Sequence, residues 1–212
     1  SLVSAAELKG IKCTDEQLVE IVPLNWDELA VRNFDAIVGN PPYVTTEDIH
    51  SLIPAPEFDI YKKKYKTAHK QFDKYFIFLE RALQKVNKGG YVCYIVPNKF
   101  FKIGAGAKLR EFIAKEKYLV SLDDFGAAQL FEDKTIYSSI ILMQKKAQDN
   151  FKYTNVDSAN NLWLGKPTDS IELNSSLLDE LPWKLTSDFE FLEILKKIEP
   201  VSAPLDRFAE IF

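Results

Sequence analysis

The tetrapeptide Asn40-Pro41-Pro42-Tyr43 has the residue types of a site that accepts hydrogen bonds from an amino group. Proline fixes φ, lacks an N–H and holds the preceding residue extended, so the carbonyls of Asn40 and Pro41 are aimed rigidly. With the Asn40 side-chain oxygen they form a cluster of acceptors. The flat ring of Tyr43 is suited to stacking on a planar base. We therefore predict a binding site for the amino group of a planar ligand, and Gly39 allows that ligand close to the backbone.

The position of this tetrapeptide along the chain supports the same interpretation. Residues 34–38 form a nearly continuous apolar run that ends at Gly39, which is typical of a strand buried on both faces of a parallel sheet. Ligands of open α/β sheets bind beyond the carboxyl ends of strands, where the tetrapeptide lies. The alternative is that Pro-Pro-Tyr forms an ordinary loop after a strand.

Strands alternate with helices around the tetrapeptide, which predicts an α/β fold with a mainly parallel sheet. The last two strands are joined by a segment too short and glycine-broken for a crossover helix. They are therefore predicted to form an antiparallel pair at the sheet edge. The predicted strands are residues 20–22, 34–38, 91–96, 119–122 and 136–143, and the predicted helices are 72–86, 107–117 and 189–198.

The composition limits the classes of function. The chain has 212 residues, 46% of them hydrophobic, and a net charge of -4. No apolar run is long enough to span a membrane, so no membrane partner is expected. Tight binding to duplex DNA by this chain alone is disfavoured, because such proteins are usually basic. Cys13 and Cys93 lack the spacing of metal ligands, and a reducing cytoplasm fits them best.

A local cluster of basic residues departs from this acidic balance. Two interpretations stay open: a solvated loop and helix start, or a phosphate-facing loop near the predicted site. The cluster consists of Lys62, Lys63, Lys64, Lys66, His69, Lys70 and Lys74.

A series of short motifs follows the tetrapeptide in order. They are Lys66-Thr67-Ala68, Asp73-Lys74-Tyr75, Glu80-Arg81-Ala82-Leu83, Gly89-Gly90, Ile95-Val96-Pro97-Asn98-Lys99-Phe100, Lys108-Leu109-Arg110-Glu111-Phe112, Asp124-Phe125-Gly126 and Leu130-Phe131. Together with Asn-Pro-Pro-Tyr after Phe-Asp-x-Ile-x-Gly, the series resembles the gamma-class adenine-N6 DNA methyltransferases of the type IIG restriction–modification group, which use S-adenosylmethionine. The resemblance covers about residues 27–146. It implies a partial Rossmann-like methyltransferase sheet and action on double-stranded DNA.

The resemblance also implies roles at the target base. The Asn40 side chain and the Pro41 carbonyl would accept hydrogen bonds from the adenine amino group, in a catalytic turn that includes Pro42. Tyr43 and Phe131 would stack on the two faces of the extruded base. For Phe131, a loop-anchoring hydrophobe is the alternative.

At the cofactor, the resemblance implies that Asp27 contacts the adenine of S-adenosylmethionine and that Phe78 forms an apolar wall of the same pocket. Ordinary core packing is an equal alternative for Phe78. The glycine-rich cofactor loop of the family has no counterpart in residues 1–20. The chain is therefore expected to be a fragment that binds S-adenosylmethionine weakly, no better than millimolar.

The expected organisation follows from this resemblance. Residues 1–146 would form a partial catalytic domain that lacks the first strands, and residues 147–212 a linker and helix leading to an absent target-recognition domain. Without its central neighbours, strand 34–38 would expose an apolar edge. The chain would then self-associate through that edge, or residues 1–24 would cover it.

Two other classes of function stay open. The same tetrapeptide serves methyltransferases that act on RNA or on protein glutamine, although the glutamine enzymes lack the Pro-Asn-Lys-Phe and Leu-Phe segments found here. A non-catalytic module that binds nucleic acid or a partner protein is the remaining alternative.

Overall fold

A six-stranded sheet is the framework of the chain in the computed structural model. The structure describes residues 33–126, 137–156 and 170–186, together with residues 8, 14–16, 158, 188, 194, 197, 198 and 201. The strands are β1 (Phe34–Gly39), β2 (Val86–Pro97), β3 (Leu119–Asp124), β4 (Ser138–Gln144), β5 (Asn150–Asn155) and β6 (Ser170–Asn174), in the spatial order β1-β2-β4-β3-β5-β6.

The directions of these strands bring several carboxyl ends to one edge of the sheet. β1 is parallel to β2 and β3 is parallel to β5, whereas β4 is antiparallel to both β2 and β3. The strands β1, β2, β3 and β5 therefore run in the same direction, and β4 and β6 run against them. This mixed α/β sheet confirms the predicted fold class. It also places the residues after β1, β2 and β3 at a common edge, which we call the carboxyl edge.

The sheet extends further along the chain than the sequence pattern predicted. Strands β5 and β6 lie within residues 147–212, where a linker was expected, and β5 pairs with β3. The predicted antiparallel pair, β3 and β4, therefore lies inside the sheet and not at its edge. A signal for these strands was present, because Phe151 and Tyr153 alternate inward along β5, as do Ile171 and Leu173 along β6.

Four α-helices lie within the described residues, and the apolar periodicity predicted the last two of them. They are α1 (Thr46–Leu52), α2 (Ala55–Lys64), α3 (Lys74–Lys85) and α4 (Ala107–Glu116). The apolar face of α3 includes Tyr75, Phe76 and Leu79, all fully buried, and packs in the main hydrophobic core. This helix ends at Lys85, because Val86 already has strand dihedrals and begins β2.

Strand β1 is not buried on both faces, contrary to the prediction from its apolar run. In the described part of the chain it pairs with β2 alone, and Val38 is 77% exposed. Side chains of a strand point to the two faces of the sheet, so the exposed Val38 shows that its face of β1 is not covered. Among the described residues, no second strand pairs with β1.

Several predicted features lie outside the described residues. They are the strand at 20–22, the residues Asp27 and Phe131, and most of the helix at 189–198. Among the residues that the structure does describe, no helix has the length and apolar character needed to cross a membrane.

Candidate functional site

The turn Asn40-Pro41-Pro42-Tyr43 leaves the end of β1 at the carboxyl edge. Asn40 and Pro42 are exposed, Pro41 is buried and Tyr43 is half-buried. The turn is thus anchored through its second and fourth residues and presents the Asn40 side chain outward. This arrangement leaves an amide oxygen accessible to a ligand beside a fixed backbone.

Tyr43 ties the turn to the neighbouring strand. Its hydroxyl donates a hydrogen bond to the Ile95 carbonyl of β2 at 3.0 Å. Burial raises the pKa of Tyr43 to about 12, so the phenol stays protonated and remains a donor at neutral pH. The Tyr43 ring also meets Tyr75 edge-on, with ring centroids 6.2 Å apart.

The chain that follows the turn is tied to the start of α3. The Lys74 N–H donates to the Val44 carbonyl at 2.8 Å, and the Thr46 hydroxyl donates to the Phe72 carbonyl. Thr45 caps α1, where its side chain accepts from the Asp48 N–H. The turn is therefore held between the end of β1 and the N-terminus of α3.

Polar contacts also join the segments after β2 and β3. The Asn98 side chain donates to the Asp124 carboxylate at 2.7 Å, and the Gly126 N–H donates to the same oxygen at 3.0 Å. Gly126 has φ +49°, so the chain turns sharply there, at the start of residues 126–137. This contact fixes the chain at the end of β3.

An ion pair bridges α3 and the segment after β2. The Lys99 ammonium lies 2.8 Å from the Asp73 carboxylate, whose side chain is only 8% exposed. Burial raises the pKa of Asp73, although Lys99 opposes this shift. Asp73 occupies the N-cap position of α3, but its side chain does not cap the helix. The sequence motifs contain both residues, but no role was predicted for either.

The predicted site residues are only partly brought together. The structure gathers Asn40, Pro41, Pro42 and Tyr43 at the carboxyl edge. Phe78 is half-buried on α3 and packs against the main core, which is compatible with either of its predicted roles.

Part of the basic cluster has local structural partners. The Lys62 ammonium donates to the Lys70 carbonyl at 2.9 Å and lies 5.1 Å from the Phe72 ring centroid. The loop between α2 and α3 is fixed by the buried Glu80 carboxylate, which accepts from the Thr67 N–H and hydroxyl, each at 2.9 Å. For Lys62, these contacts favour the interpretation as part of a solvated loop and helix over that as part of a phosphate-facing loop.

Comparison with known proteins identifies the family. The family model described as Eco57I restriction-modification methylase matches residues 6–131, more than half of the chain. The chain belongs to this family. The resemblance inferred from the motifs after the Asn-Pro-Pro-Tyr turn is thereby confirmed.

Individual relatives agree with this membership in the Eco57I restriction-modification methylase family. The chain is 42% identical over 179 residues to the type II restriction enzyme and methyltransferase RM.Eco57I of Escherichia coli, covering 83% of this chain and 17% of that protein. It is 33% identical over 114 residues to the type II methyltransferase M.PaeR7I of Pseudomonas aeruginosa, covering 53% and 19%. The chain thus spans about a fifth or less of the length of these relatives.

A solved structure shares the fold of this family member. The electron cryomicroscopy structure of the DrdV–DNA complex superposes with a TM-score of 0.55 over 73% of this chain and 18% of that one. The sequence identity is 15%, so this likeness concerns the fold alone.

Proposed function

We propose that this chain carries the target-amine site of a cytoplasmic adenine-N6 DNA methyltransferase of a restriction–modification system. The observation that carries the proposal is the Asn40–Tyr43 turn, anchored at the carboxyl edge in a member of the Eco57I restriction-modification methylase family. The enzyme would transfer a methyl group from S-adenosylmethionine to an adenine extruded from double-stranded DNA.

Hydrogen-bond acceptors are the catalytic groups in this proposal. An exocyclic adenine amine is a poor nucleophile, because its lone pair is delocalised into the ring. The Asn40 side-chain oxygen and the Pro41 carbonyl would accept from its two N–H groups and favour a pyramidal nitrogen with a localised lone pair. These bonds strengthen as the transition state forms, which is the condition for catalysis. Tyr43 would stack on the base and hold the amine in position.

S-adenosylmethionine would supply an already activated sulfonium methyl group. Among the described residues, Asn40 is exposed at this edge and accessible to a ligand. Gly39 beside it accommodates the Tyr94 ring, because a Cβ there would lie 3.3 Å from that ring. Phe78 would form an apolar wall of the cofactor pocket, as implied by the family, and Asp27 would contact the cofactor adenine.

The organisation of the complete enzyme is part of the proposal. Residues 1–146 would belong to the catalytic domain, and the sheet contacts of β5 and β6 extend that domain through residue 174. The rest of residues 147–212 would lead to a target-recognition domain that supplies the base contacts. Double-stranded DNA would be bound by the complete enzyme and not by this acidic chain alone.

The product of methyl transfer tests the proposal directly. The complete enzyme, incubated with radiolabelled S-adenosylmethionine, is expected to label duplex DNA and to yield N6-methyladenine on nucleoside analysis. Ribosomal RNA and a glutamine-containing protein acceptor serve as parallel substrates. Label in RNA or protein, with none in DNA, would contradict the proposal in favour of another acceptor, and no label in any substrate would favour a non-catalytic binding module.

Substitution of the predicted stacking residue should weaken the hold on the extruded base. We expect Phe131→Ala to weaken binding of that base by roughly 1–3 kcal/mol, the usual contribution of one base–aromatic stack. Fluorescence of 2-aminopurine at the target position of the duplex measures this change. Tyr137→Ala is the matched control, because Tyr137 is an aromatic residue of the same connection and is 52% exposed. Equal emission from wild type and Phe131→Ala would exclude Phe131 as the stacking residue.

The open edge of β1 predicts the behaviour of the 212-residue chain by itself. We expect it to self-associate at micromolar concentration, because Val38 is 77% exposed on a strand with an unpaired side in the described part of the chain. Val38→Lys should shift it toward monomer in sedimentation, whereas Leu177→Lys, at another exposed position, should not.

We also expect calorimetry to show S-adenosylmethionine binding no better than about millimolar, which is about -4 kcal/mol. Micromolar binding, or a monomeric wild type, would contradict these expectations.

A further inference from the structure

Tyr75 lies at the centre of the contacts that hold the predicted catalytic turn. It is fully buried at the start of α3, and its hydroxyl donates to the Pro97 carbonyl at 3.2 Å. Its ring meets Tyr43 on one side and Phe100 on another, with centroid distances of 6.2 and 6.3 Å. The buried hydroxyl has a raised pKa, chiefly because of burial, and therefore remains a proton donor.

The end of β1 explains why these hydroxyls are needed. The pairing of β1 with β2 ends where Gly39 lies opposite Tyr94, so the following residues of β2 extend beyond their neighbour. Pro41 and Pro42 have no N–H and cannot continue the ladder. Buried carbonyls on that side of β2 then require other donors.

Two tyrosines supply these donors. Tyr43 donates to the carbonyl of Ile95, and Tyr75 donates to that of Pro97, two residues further along β2. Carbonyls two residues apart in a strand point to the same side. The Val96 carbonyl between them accepts from Ser139 of β4, on the opposite side. The hydroxyls therefore take the place of the β1 backbone donors beyond Gly39.

We propose that Tyr75 is a positioning residue for the amine-accepting turn, an inference that rests on the proposed methyltransferase function. The Tyr75 hydroxyl fixes the end of β2, and the edge-on contact between the two rings fixes the ring of Tyr43. It thereby sets the distance between the Asn40–Pro41 acceptors and the adenine amine. It acts through Tyr43 and does not touch the substrate. A misplacement of about 1 Å is enough to reduce the rate of methyl transfer about 100-fold.

The chain offers a matched control for the loss of a buried hydroxyl. Tyr61 is 1% exposed on α2, and its hydroxyl donates to Glu57 one turn earlier on the same helix. Tyr61→Phe thus removes a buried tyrosine hydrogen bond that does not reach the carboxyl edge. It reports the effect of lost stability on activity, without a change in the catalytic turn.

The test is a double-mutant cycle in the complete enzyme with Tyr75→Phe, Tyr43→Phe and the double variant. We expect Tyr75→Phe to lower kcat about tenfold and to leave KM for DNA within about twofold, because positioning acts on the reacting geometry. Adding it to Tyr43→Phe should lower kcat by less than about threefold more, because the two residues act as one unit. Tyr61→Phe should leave kcat within about twofold of wild type. Its effect on kcat should multiply independently with that of Tyr43→Phe.

Three outcomes would overturn the inference alone while N6-methyladenine is still formed by the wild type. The first is a kcat of Tyr75→Phe within about twofold of the wild-type value. The second is a loss of kcat in Tyr61→Phe equal to that in Tyr75→Phe. The third is a double variant whose loss of kcat is the full product of the Tyr75→Phe and Tyr43→Phe losses. A wild-type enzyme that forms no N6-methyladenine would overturn the proposed function and this inference together. Thermal unfolding midpoints of all variants separate loss of fold from loss of rate.

Discussion

Asn40→Ala is expected to lower the rate of adenine methylation by the complete enzyme at least about 100-fold, the typical effect of removing one preorganised hydrogen-bond group at a reacting centre. The substitution removes the exposed amide oxygen that would accept from the adenine amine. The Pro-Pro-Tyr anchor and its bond to Ile95 remain in place. Single-turnover transfer of a radiolabelled methyl group to duplex DNA measures the rate.

Asn155→Ala is the matched control for this experiment. Asn155 is also an exposed asparagine, and it ends β5 at the same carboxyl edge. Its removal should leave both methylation and the thermal unfolding midpoint unchanged. If Asn40→Ala retains more than about a tenth of the wild-type rate, a loss under ~1.4 kcal/mol, Asn40 is not the amine acceptor.

Arg110→Met should destabilise the chain by roughly 3–4 kcal/mol, because it leaves several carbonyl groups without their charged donor. The Arg110 side chain is 1% exposed. It donates to the carbonyls of Phe100, Ile103 and Glu180, the last at 2.9 Å. Methionine fills a similar volume, so the expected loss reports the hydrogen bonds and not a cavity. Urea unfolding of the 212-residue chain measures the change.

The Arg110 contacts also tie residues 178–183 to the carboxyl edge. The Trp183 ring stacks on Phe101 at a centroid distance of 5.9 Å, and the Trp183 backbone N–H donates to the Phe101 carbonyl at 2.8 Å. Loss of Arg110 should therefore release the segment that contains Trp183. A decrease in the anisotropy of tryptophan fluorescence would report this release. Arg81→Met is the control, because Arg81 is half-buried and donates to Gln84 one turn further along α3. Equal destabilisation by the two substitutions would refute the special role of Arg110.

Local chemistry and the periodicity of apolar residues determine a large part of the fold and of the candidate site of this protein. The two prolines after an apolar strand predicted a rigid acceptor turn, and the structure places Asn40–Tyr43 at the end of β1. The helical spacing of apolar residues predicted α3 and α4, and short apolar runs predicted strands β1 to β4. Proline geometry and side-chain periodicity act over a few residues, so a sequence expresses them directly.

The tertiary structure decided which of these elements meet and how the Asn40–Tyr43 turn is held. An apolar run does not reveal what covers a strand, and Val38 of β1 proved to be exposed, with β2 the one strand paired to β1 among the described residues. The apolar alternation along β5 and β6 is weak, and these segments are strands because β5 pairs with β3 and β6 pairs with β5. The contact of Tyr43 with Ile95 joins residues 52 positions apart, and that of Arg110 with Glu180 joins residues 70 positions apart. Such pairs depend on packing across the whole core, because no local pattern in a single sequence specifies which distant carbonyl a buried hydroxyl or guanidinium will reach.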